Sequence, residues 1–168
     1  QYANQVPTQQ YRSANGLPRE LSLFTYEGED YVCVKPSPEV FSAFEQKPTG
    51  SLQSAAYLEV TNIKSNASIV LSNDKDEKVT MVYDEKTKTF SMDRTESGLT
   101  DFSNDFKAKT TAPTYGAIKR LQIFVDNSSI EAFDADGKMS MTNLVFPNKP
   151  YDKILAKGCK VKVYNLKK

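Results

Sequence analysis

The sequence predicts an all-β protein, folded as a two-sheet antiparallel β-sandwich. Roughly ten short segments follow the two-residue period of β-strands, and turn residues separate them at short intervals. One short segment alone follows a helical period, which argues against alternating strand and helix units. At 168 residues, the chain is long enough to bury a core of its own and short enough for one domain.

The first 18 residues, which we call the N-terminal arm, are polar and follow no sustained period. Gly16 and two prolines lie within the arm, so we expect an extended segment that packs against another surface. Alternating apolar and polar residues then predict strands at 20–26 and 31–35. Gly28 lies between these strands and favours a hairpin.

Residues 39–46 are the one helical candidate. Val40, Phe41 and Phe44 are spaced for one face of a helix of about two turns. Prolines immediately before this segment end the preceding strand. Residues 47–54 follow as a loop, because a proline and a glycine interrupt them.

The middle of the chain returns to the period of β-strands. Residues 56–63 and 67–71 alternate apolar and polar side chains, and each segment predicts one strand. Residues 78–83 and 89–92 predict a hairpin, because the charged residues 84–88 between them are typical of an exposed turn.

Residues 93–105 follow neither period, and we expect an irregular surface segment there. Residues 121–147 then predict a meander of three consecutive strands. These three strands are expected at 121–125, 130–133 and 138–146. Asp136 and Gly137 suit a type I′ turn, in which both central residues need positive φ. A last strand is predicted at 160–166.

The charge balance argues against partners that are polyanions. The chain carries 22 Lys and Arg against 21 Asp and Glu, a net charge of +1, so no broad positive field attracts nucleic acid. No apolar run approaches the roughly 20 residues that span a bilayer. The N-terminal arm also lacks the basic and apolar regions of a secretion signal. We therefore expect no nucleic acid partner and no membrane span.

The most restrictive feature of the composition is the absence of histidine. Without histidine the chain cannot build a Ser-His-Asp or Cys-His nucleophile, or a histidine-ligated metal site. Tryptophan is also absent, which weakens stacking on sugar rings, although nine Tyr and nine Phe remain. Cys33 and Cys159 could be bridged or free. We expect no cofactor and no metal site.

Four acids lie close together in the sequence: Asp126, Glu131, Asp134 and Asp136. Glycoside hydrolysis uses a pair of carboxylates, so a catalytic role has to be considered. We favour structural roles, because Asp126 and Asp136 occupy turn positions and Glu131 lies on a strand whose alternate face can be solvated. The segment that begins at Asp134 also departs from the EF-hand pattern for calcium, since Gly137 is its fourth residue instead of its sixth. We therefore predict no catalytic residue in this chain.

Two further groups of charged residues leave alternatives open. The segment 93–96 places Arg94 between two acids, which suits either a ligand or a surface ion pair of little energetic value, and we favour the ion pair. Arg12, Arg19 and Glu20 lie in or next to the N-terminal arm, among apolar residues. They are either solvated or hydrogen-bonded to a neighbouring surface, which the forked guanidinium of arginine suits well.

Three segments carry a family resemblance: YANQVPTQQYRSANGLPRELSL, FSMDRTESGLTDFSNDF and LQIFVDNSSIEAFDADGKMSMTNLVFP. The Leu-Pro-Arg-Glu-Leu of the first and the Val-Asp-x-Ser-Ser-Ile-Glu-x-Phe of the third are the most specific motifs. Together the three segments resemble the C-terminal part of glycoside hydrolase family 32, the invertase, inulinase and levanase family. The chain departs from the family pattern at Asn15, where a methionine is usual, and at Asn127, where a basic residue is common.

The resemblance implies a domain organisation. Enzymes of this family hold their active site in an N-terminal five-bladed β-propeller, followed by a β-sandwich. Residues 19–168 would be that sandwich, of the concanavalin A-like jelly-roll type found in lectins and glucanases. Residues 1–18 would be the end of the last propeller blade and the interdomain linker. The propeller's acidic motifs, Trp-Met-Asn-Asp-Pro-Asn-Gly, Arg-Asp-Pro and Glu-Cys, do not occur in this sequence.

The implied function is that of a non-catalytic domain in an extracellular or periplasmic β-fructosidase acting on sucrose, inulin or levan. The domain would pack on the catalytic propeller of the same polypeptide and stabilise it, with Arg12, Arg19 and Glu20 as candidate contacts. Two alternatives stay open: a module that binds fructan, and a surface for forming homo-oligomers. A lectin-like glucanase is disfavoured, because no Glu-x-Asp-x-x-Glu row lines one strand face.

Overall fold

The computed structural model describes residues 2–12, 14–46, 52–106 and 109–167. These ranges contain thirteen strands, one short helix, α1 (Pro38–Ser42), and a 3₁₀ turn at Ala3–Gln5. The strands are β1 (Arg19–Tyr26), β2 (Glu29–Pro36), β3 (Phe44–Gln46), β4 (Ala56–Thr61), β5 (Ala67–Ser72), β6 (Lys78–Asp84), β7 (Thr89–Asp93), β8 (Lys109–Pro113), β9 (Leu121–Val125), β10 (Ser129–Asp134), β11 (Ser140–Leu144), β12 (Lys153–Lys157) and β13 (Lys160–Leu166). The predicted loop at 47–54 falls mostly outside the described residues.

Two antiparallel sheets form a β-sandwich, as the sequence predicts. One sheet has six strands in the order β11-β10-β9-β4-β13-β3, and the other has five in the order β12-β5-β6-β7-β8. The β1–β2 hairpin forms a separate two-stranded sheet beside them. The predicted meander is confirmed, since β9, β10 and β11 are consecutive neighbours in the six-stranded sheet.

The main core lies between the two large sheets, where inward-facing side chains alternate with outward-facing ones. On β5 and β6 every second residue is buried, the pattern of strands with one face in the core. The largest fully buried apolar side chains of this core are Leu58, Val60, Leu71, Val79, Met81, Phe90, Met92, Leu121, Ile123 and Ile130. Their burial between the sheets is the main source of stability of the domain.

The outer face of the six-stranded sheet is covered as well. β9 is buried at every residue and β10 at all but its first, which shows that both faces of these strands are packed. Tyr57, Phe124 and Phe133 form a second apolar cluster on the outer face. Side chains of the N-terminal arm, β2, α1 and β3 pack against this cluster, and they make a third layer of the fold.

Ionisation of Tyr57 gives the domain a specific weakness at high pH. Burial, aided by the nearby Glu59 carboxylate, raises the pKa of Tyr57 to about 12 from its usual 10. The folded state holds this proton more tightly than the unfolded state, so its contribution to stability is complete below pH 10 and is lost towards pH 12. We expect Tyr57 to contribute about 1.4 kcal/mol per pH unit to the fall of the free energy of unfolding in this window. Burial also raises the pKa of Tyr151, which adds a separate contribution that a change at Tyr57 leaves in place. Urea unfolding at pH 9, 10 and 11 measures the slope, and a Tyr57→Phe variant that keeps the full slope would contradict the assignment.

Three local predictions are wrong. The helix ends at Ser42 instead of continuing to residue 46, because Phe44–Gln46 pairs with β13 as an edge strand. Strands β8 and β12 lie in segments that the apolar pattern left outside any strand. The turn at 134–138 is not type I′, since Gly137 has a φ of +77° whereas Asp136 is absent from the described residues with positive φ.

Candidate functional site

The N-terminal arm contacts the sandwich first through Tyr2 and Val6. Both side chains pack against Phe102, Phe106 and Phe146, a group of five residues that we call the Tyr2 cluster. The ring of Tyr2 lies edge-on to Phe102 and Phe106, with centroids 5.8 and 5.6 Å apart. Val6 is buried by the same contacts. The first described residues of the chain are therefore attached to the sandwich through Phe102, Phe106 and Phe146.

Arg94 lies beneath the Tyr2 cluster and is almost completely buried, with 2% of its surface exposed. Its guanidinium carbon is 4.3 Å from the centroid of the Phe106 ring, and Nη1 donates a hydrogen bond of 2.7 Å to the Leu144 carbonyl. Burial lowers the pKa of Arg94 from its usual range. The neighbouring acids bond elsewhere, Asp93 to Thr95 and Glu96 to a lysine. The predicted surface ion pair at 93–96 is therefore wrong.

The second attachment of the arm is centred on Glu131 of β10. Its carboxylate accepts hydrogen bonds from the Leu17 backbone N–H at 2.9 Å, from Arg19 Nη2 at 2.5 Å and from Thr142 Oγ1 at 3.1 Å. Arg19 Nη2 also donates to Thr142 Oγ1 at 2.7 Å. Glu131 is 4% exposed, because the arm lies over it. We call these four residues the Glu131 cluster.

The three residues singled out from the sequence in and next to the arm lie in different surroundings. Arg12 Nη1 donates to the carbonyls of Val6 and Thr8, at 2.5 and 2.8 Å, and so stabilises a turn within the arm itself. Arg19 belongs to the Glu131 cluster, and its guanidinium carbon also lies 5.3 Å from the centroid of a Phe133 ring. Glu20 is exposed on β1. The structure does not bring these three side chains together at one point.

A cavity of about 360 Å³ lies beside the Glu131 cluster, between the arm and the outer face of the six-stranded sheet. Its apolar walls are formed by Leu17, Val40, Ala43, Phe44, Phe124 and Leu166. The polar residues of the lining are Asn15, Asp126, Ser129 and Glu131. Volumes of this order hold small ligands in other proteins. The arm therefore borders a ligand-sized opening on the sheet that it covers.

The remaining acids of the meander have structural partners. Asp126 accepts a hydrogen bond from the Asn127 N–H at 2.7 Å in the turn between β9 and β10. Asp134 accepts one from the Asp136 N–H at 3.2 Å, and burial raises the pKa of Asp134. The contact of Asp126 agrees with the turn role expected from the sequence, whereas in the second turn the accepting carboxylate is that of Asp134 and not that of Asp136.

The described residues were also compared with the arrangements that bind a metal ion, form a disulfide or span a membrane. No group of three or more Cys, Asp, Glu or His side chains there is arranged to hold a metal ion. Cys33 and Cys159 are both free thiols. No helix among the described residues is long and apolar enough to cross a membrane.

Comparison with known proteins places the chain in a family. The model of "Glycosyl hydrolases family 32 C terminal" matches residues 32–167. The extracellular exo-inulinase of Aspergillus niger is 28% identical over 172 residues, which cover 88% of this chain and 32% of that enzyme. The levanase of Bacillus subtilis is 31% identical over 178 residues, covering 89% of this chain and 25% of the enzyme. The chain thus spans a quarter to a third of the length of these relatives.

Solved structures show the same fold. The exo-inulinase of Aspergillus awamori superposes with a TM-score of 0.82 at 22% identity, over 99% of this chain and 38% of that one. A fructofuranosidase of Schwanniomyces occidentalis superposes with a TM-score of 0.74 at 18% identity, over 99% and 43% of the two chains. The family match confirms the resemblance found in the three sequence segments. This chain belongs to the family of C-terminal domains of the family 32 glycosyl hydrolases.

Proposed function

We propose that this chain is the non-catalytic β-sandwich of a β-fructosidase, and that it packs on and stabilises an N-terminal catalytic β-propeller in the same polypeptide. Residues 1–18 are the end of the last propeller blade and the linker, and residues 19–168 are the sandwich. The relatives that match most of this chain are an exo-inulinase and a levanase, which supports fructan or sucrose as the substrate of the parent enzyme.

The observation that carries this proposal is the attachment of the arm at two separate points. The Tyr2 cluster holds one part of the arm and the Glu131 cluster holds its end. Because the arm is fixed at two points, a domain that precedes it is held in one orientation and is not joined through a flexible linker. Arg12, Arg19 and Glu20, all three exposed in this chain, remain candidate contacts to that domain.

The test uses the full parent polypeptide, the same polypeptide truncated before residue 19, and this chain alone. We expect the full polypeptide to hydrolyse sucrose, inulin or levan and the isolated chain to hydrolyse none of them. The truncated polypeptide should unfold at a lower temperature than the full one, because the surface covered by the sandwich becomes exposed. Hydrolysis by the isolated chain, or an unchanged unfolding temperature after truncation, would overturn the proposal.

The location that we propose is extracellular or periplasmic. The Aspergillus niger exo-inulinase is described as extracellular. Assaying fructan hydrolysis separately in the culture medium, the periplasmic fraction and the cell extract of the source organism tests this location. Activity confined to the cell extract would contradict it.

Fructan binding is a second candidate function, and the cavity beside the Glu131 cluster is the observation that favours it. Its apolar walls and four polar residues suit a sugar ring with hydroxyl groups. Calorimetric titration of the chain with inulin and levan oligomers measures such binding directly, and no heat at millimolar ligand would exclude it. Self-association through a sheet edge stays a prediction, which sedimentation of the chain can measure.

A further inference from the structure

The N-terminal arm carries an asparagine directly before a glycine, Asn15 before Gly16, and no other asparagine of the sequence is followed by glycine. The side-chain carbonyl carbon of an asparagine can react with the backbone nitrogen of the next residue. Glycine favours this reaction, because it has no Cβ atom to shield its nitrogen and its backbone reaches more conformations than that of other residues. Asn15 is therefore the asparagine whose following residue most favours the reaction.

Both reacting groups are accessible in the structure. Asn15 and Gly16 are exposed, and neither residue belongs to a helix or a strand. No hydrogen bond joins either residue to another described residue. The Gly16 nitrogen therefore has no hydrogen bond to break before it reacts, and the Asn15 side chain is free to turn towards it.

Asn66 has the opposite arrangement and serves as an internal reference. It is exposed like Asn15, but the residue after it, Ala67, is buried and carries a Cβ atom. The Ala67 N–H also donates a hydrogen bond of 3.1 Å to the Lys64 carbonyl. Exposure is thus common to both asparagines, whereas a free backbone nitrogen is present only after Asn15.

We propose that Asn15 is a site of spontaneous deamidation, and that its conversion loosens the arm at the Glu131 cluster. The Gly16 backbone nitrogen loses its proton and attacks Asn15 Cγ, which forms a succinimide ring. The Cγ–Nδ2 bond breaks, and ammonia leaves with the proton. Water then opens the ring. Attack of water at Cγ gives aspartate, and attack at the main-chain carbonyl carbon gives isoaspartate, so the net reaction consumes one water and releases one ammonia.

The first effect on the arm is the new negative charge. Asn15 lines the cavity beside the Glu131 cluster together with Asp126 and Glu131, so its conversion adds a third carboxylate to this lining. A Cβ atom at Gly16 would lie 3.3 Å from Arg19 Nη2 and 3.4 Å from Glu131 Oε2, which shows how closely the reacting dipeptide approaches that ion pair. The new carboxylate repels Glu131 and competes with it for the guanidinium.

The second effect is a longer main chain in the isoaspartate product. Isoaspartate adds one methylene group to the backbone between residue 15 and Gly16. The next residue, Leu17, donates the 2.9 Å hydrogen bond from its N–H to the Glu131 carboxylate. A shift of the main chain just before this donor lengthens or misaligns the bond. Because the ammonia is lost to solvent, the fraction of molecules with a loosened arm rises with time.

The modification is tested by incubating the chain at neutral pH and physiological temperature, followed by peptide mass spectrometry. We expect Asn15 to convert roughly tenfold faster than Asn66, or more, and Gly16→Ala to slow the conversion by a similar factor. Alanine suits this backbone, since Gly16 is absent from the residues with positive φ, and its Cβ would meet only the end of the Arg19 side chain. Equal rates at Asn15 and Asn66, or an unchanged rate in Gly16→Ala, would overturn the modification.

The effect on the arm is tested by hydrogen exchange of the Leu17 amide before and after conversion. We expect exchange to become roughly threefold faster, or more, in the converted protein, while the core strands keep their rates. Asn15→Asp carries the charge without the added methylene, so it should show part of this change. Asn15→Gln is the matched control, since it keeps a neutral amide and should show no change with time. A converted protein in which Leu17 exchanges at its original rate would overturn the loosening of the arm.

Discussion

Replacing Gly98 by alanine is expected to destabilise the domain by about 3 to 5 kcal/mol, which lowers its unfolding temperature by about 10 °C. Gly98 has a φ of +121°, a conformation that L side chains rarely adopt. A Cβ atom there would lie 2.6 Å from the Pro147 Cα and in collision with the Phe146 carbonyl oxygen. These are backbone atoms that cannot rotate away, and the same carbonyl accepts the 2.9 Å hydrogen bond of the Leu99 N–H.

Gly116→Ala is the matched control for this prediction. Gly116 has a similar φ of +109°, but no atom lies within 4 Å of the position that its Cβ would take. Its substitution therefore carries the backbone strain without the collision, and we expect a loss of about 1 to 2 kcal/mol. Equal losses for the two variants in urea unfolding would show that the close approach at Gly98 contributes nothing. The Gly98→Ala substitution should also disturb the packing of the Tyr2 cluster, because the backbone that it displaces belongs to Phe146, a member of that cluster.

The strands that the sequence predicts correctly are those in which buried apolar residues alternate with more exposed polar ones. β5 and β6 bury every second residue, and their sequences alternate accordingly. The missed strands, β8 and β12, are the two edges of the five-stranded sheet. An edge strand pairs on one side only and is often flanked by charge or proline, so Lys-Thr-Thr-Ala-Pro and Lys-Ile-Leu-Ala-Lys carry a weak pattern. The strand at Phe44–Gln46 depends on pairing with β13, distant in sequence, and no local period can predict it.

The Glu131 cluster was missed because it depends on which surface covers the outer face of the sheet. Alternation alone puts Glu131 on the face opposite Ile130, and such a position is usually solvated. A signal was present in the neighbouring side chains, since Phe124 and Phe133 share that outer face and are too apolar for a solvated one. Apolar residues on both faces of β9 and β10 indicate a third layer, and a carboxylate under that layer needs hydrogen-bond donors.

The burial of Arg94 was missed for a related reason. Its two neighbouring acids suggest a local ion pair, which is the commonest arrangement at a surface. Arg94 instead contacts Phe106, the Leu144 carbonyl and the arm residue Tyr2. None of these three residues is a close neighbour of Arg94 in the sequence. Two phenylalanines within the following twelve residues were the available sign that this irregular segment has an apolar side.

Replacing Glu131 by alanine is expected to lower the free energy of unfolding by about 2 to 3 kcal/mol and to release the end of the N-terminal arm. The substitution leaves the Leu17 N–H without its acceptor and the Arg19 guanidinium without its carboxylate. The Arg19 side chain is 30% exposed and can be partly resolvated, which keeps the loss below that of a fully buried pair. Hydrogen exchange of the amides of residues 14–17 should accelerate more than exchange in the core strands, since local opening of the arm needs no global unfolding.

Two further variants separate the charge of Glu131 from its role as an acceptor. Glu131→Gln keeps an oxygen for the Leu17 N–H but removes the negative charge, so we expect a loss of about 1 kcal/mol and a largely protected arm. Arg19→Met combined with Glu131→Ala should lose less than the sum of the two single changes, because the charge left unpaired by each single change is then absent. Additive losses, or an arm that stays protected in Glu131→Ala, would mean that the arm is held by the Tyr2 cluster alone. The orientation of a preceding domain would then depend on the first few residues of the arm and not on its junction with β1.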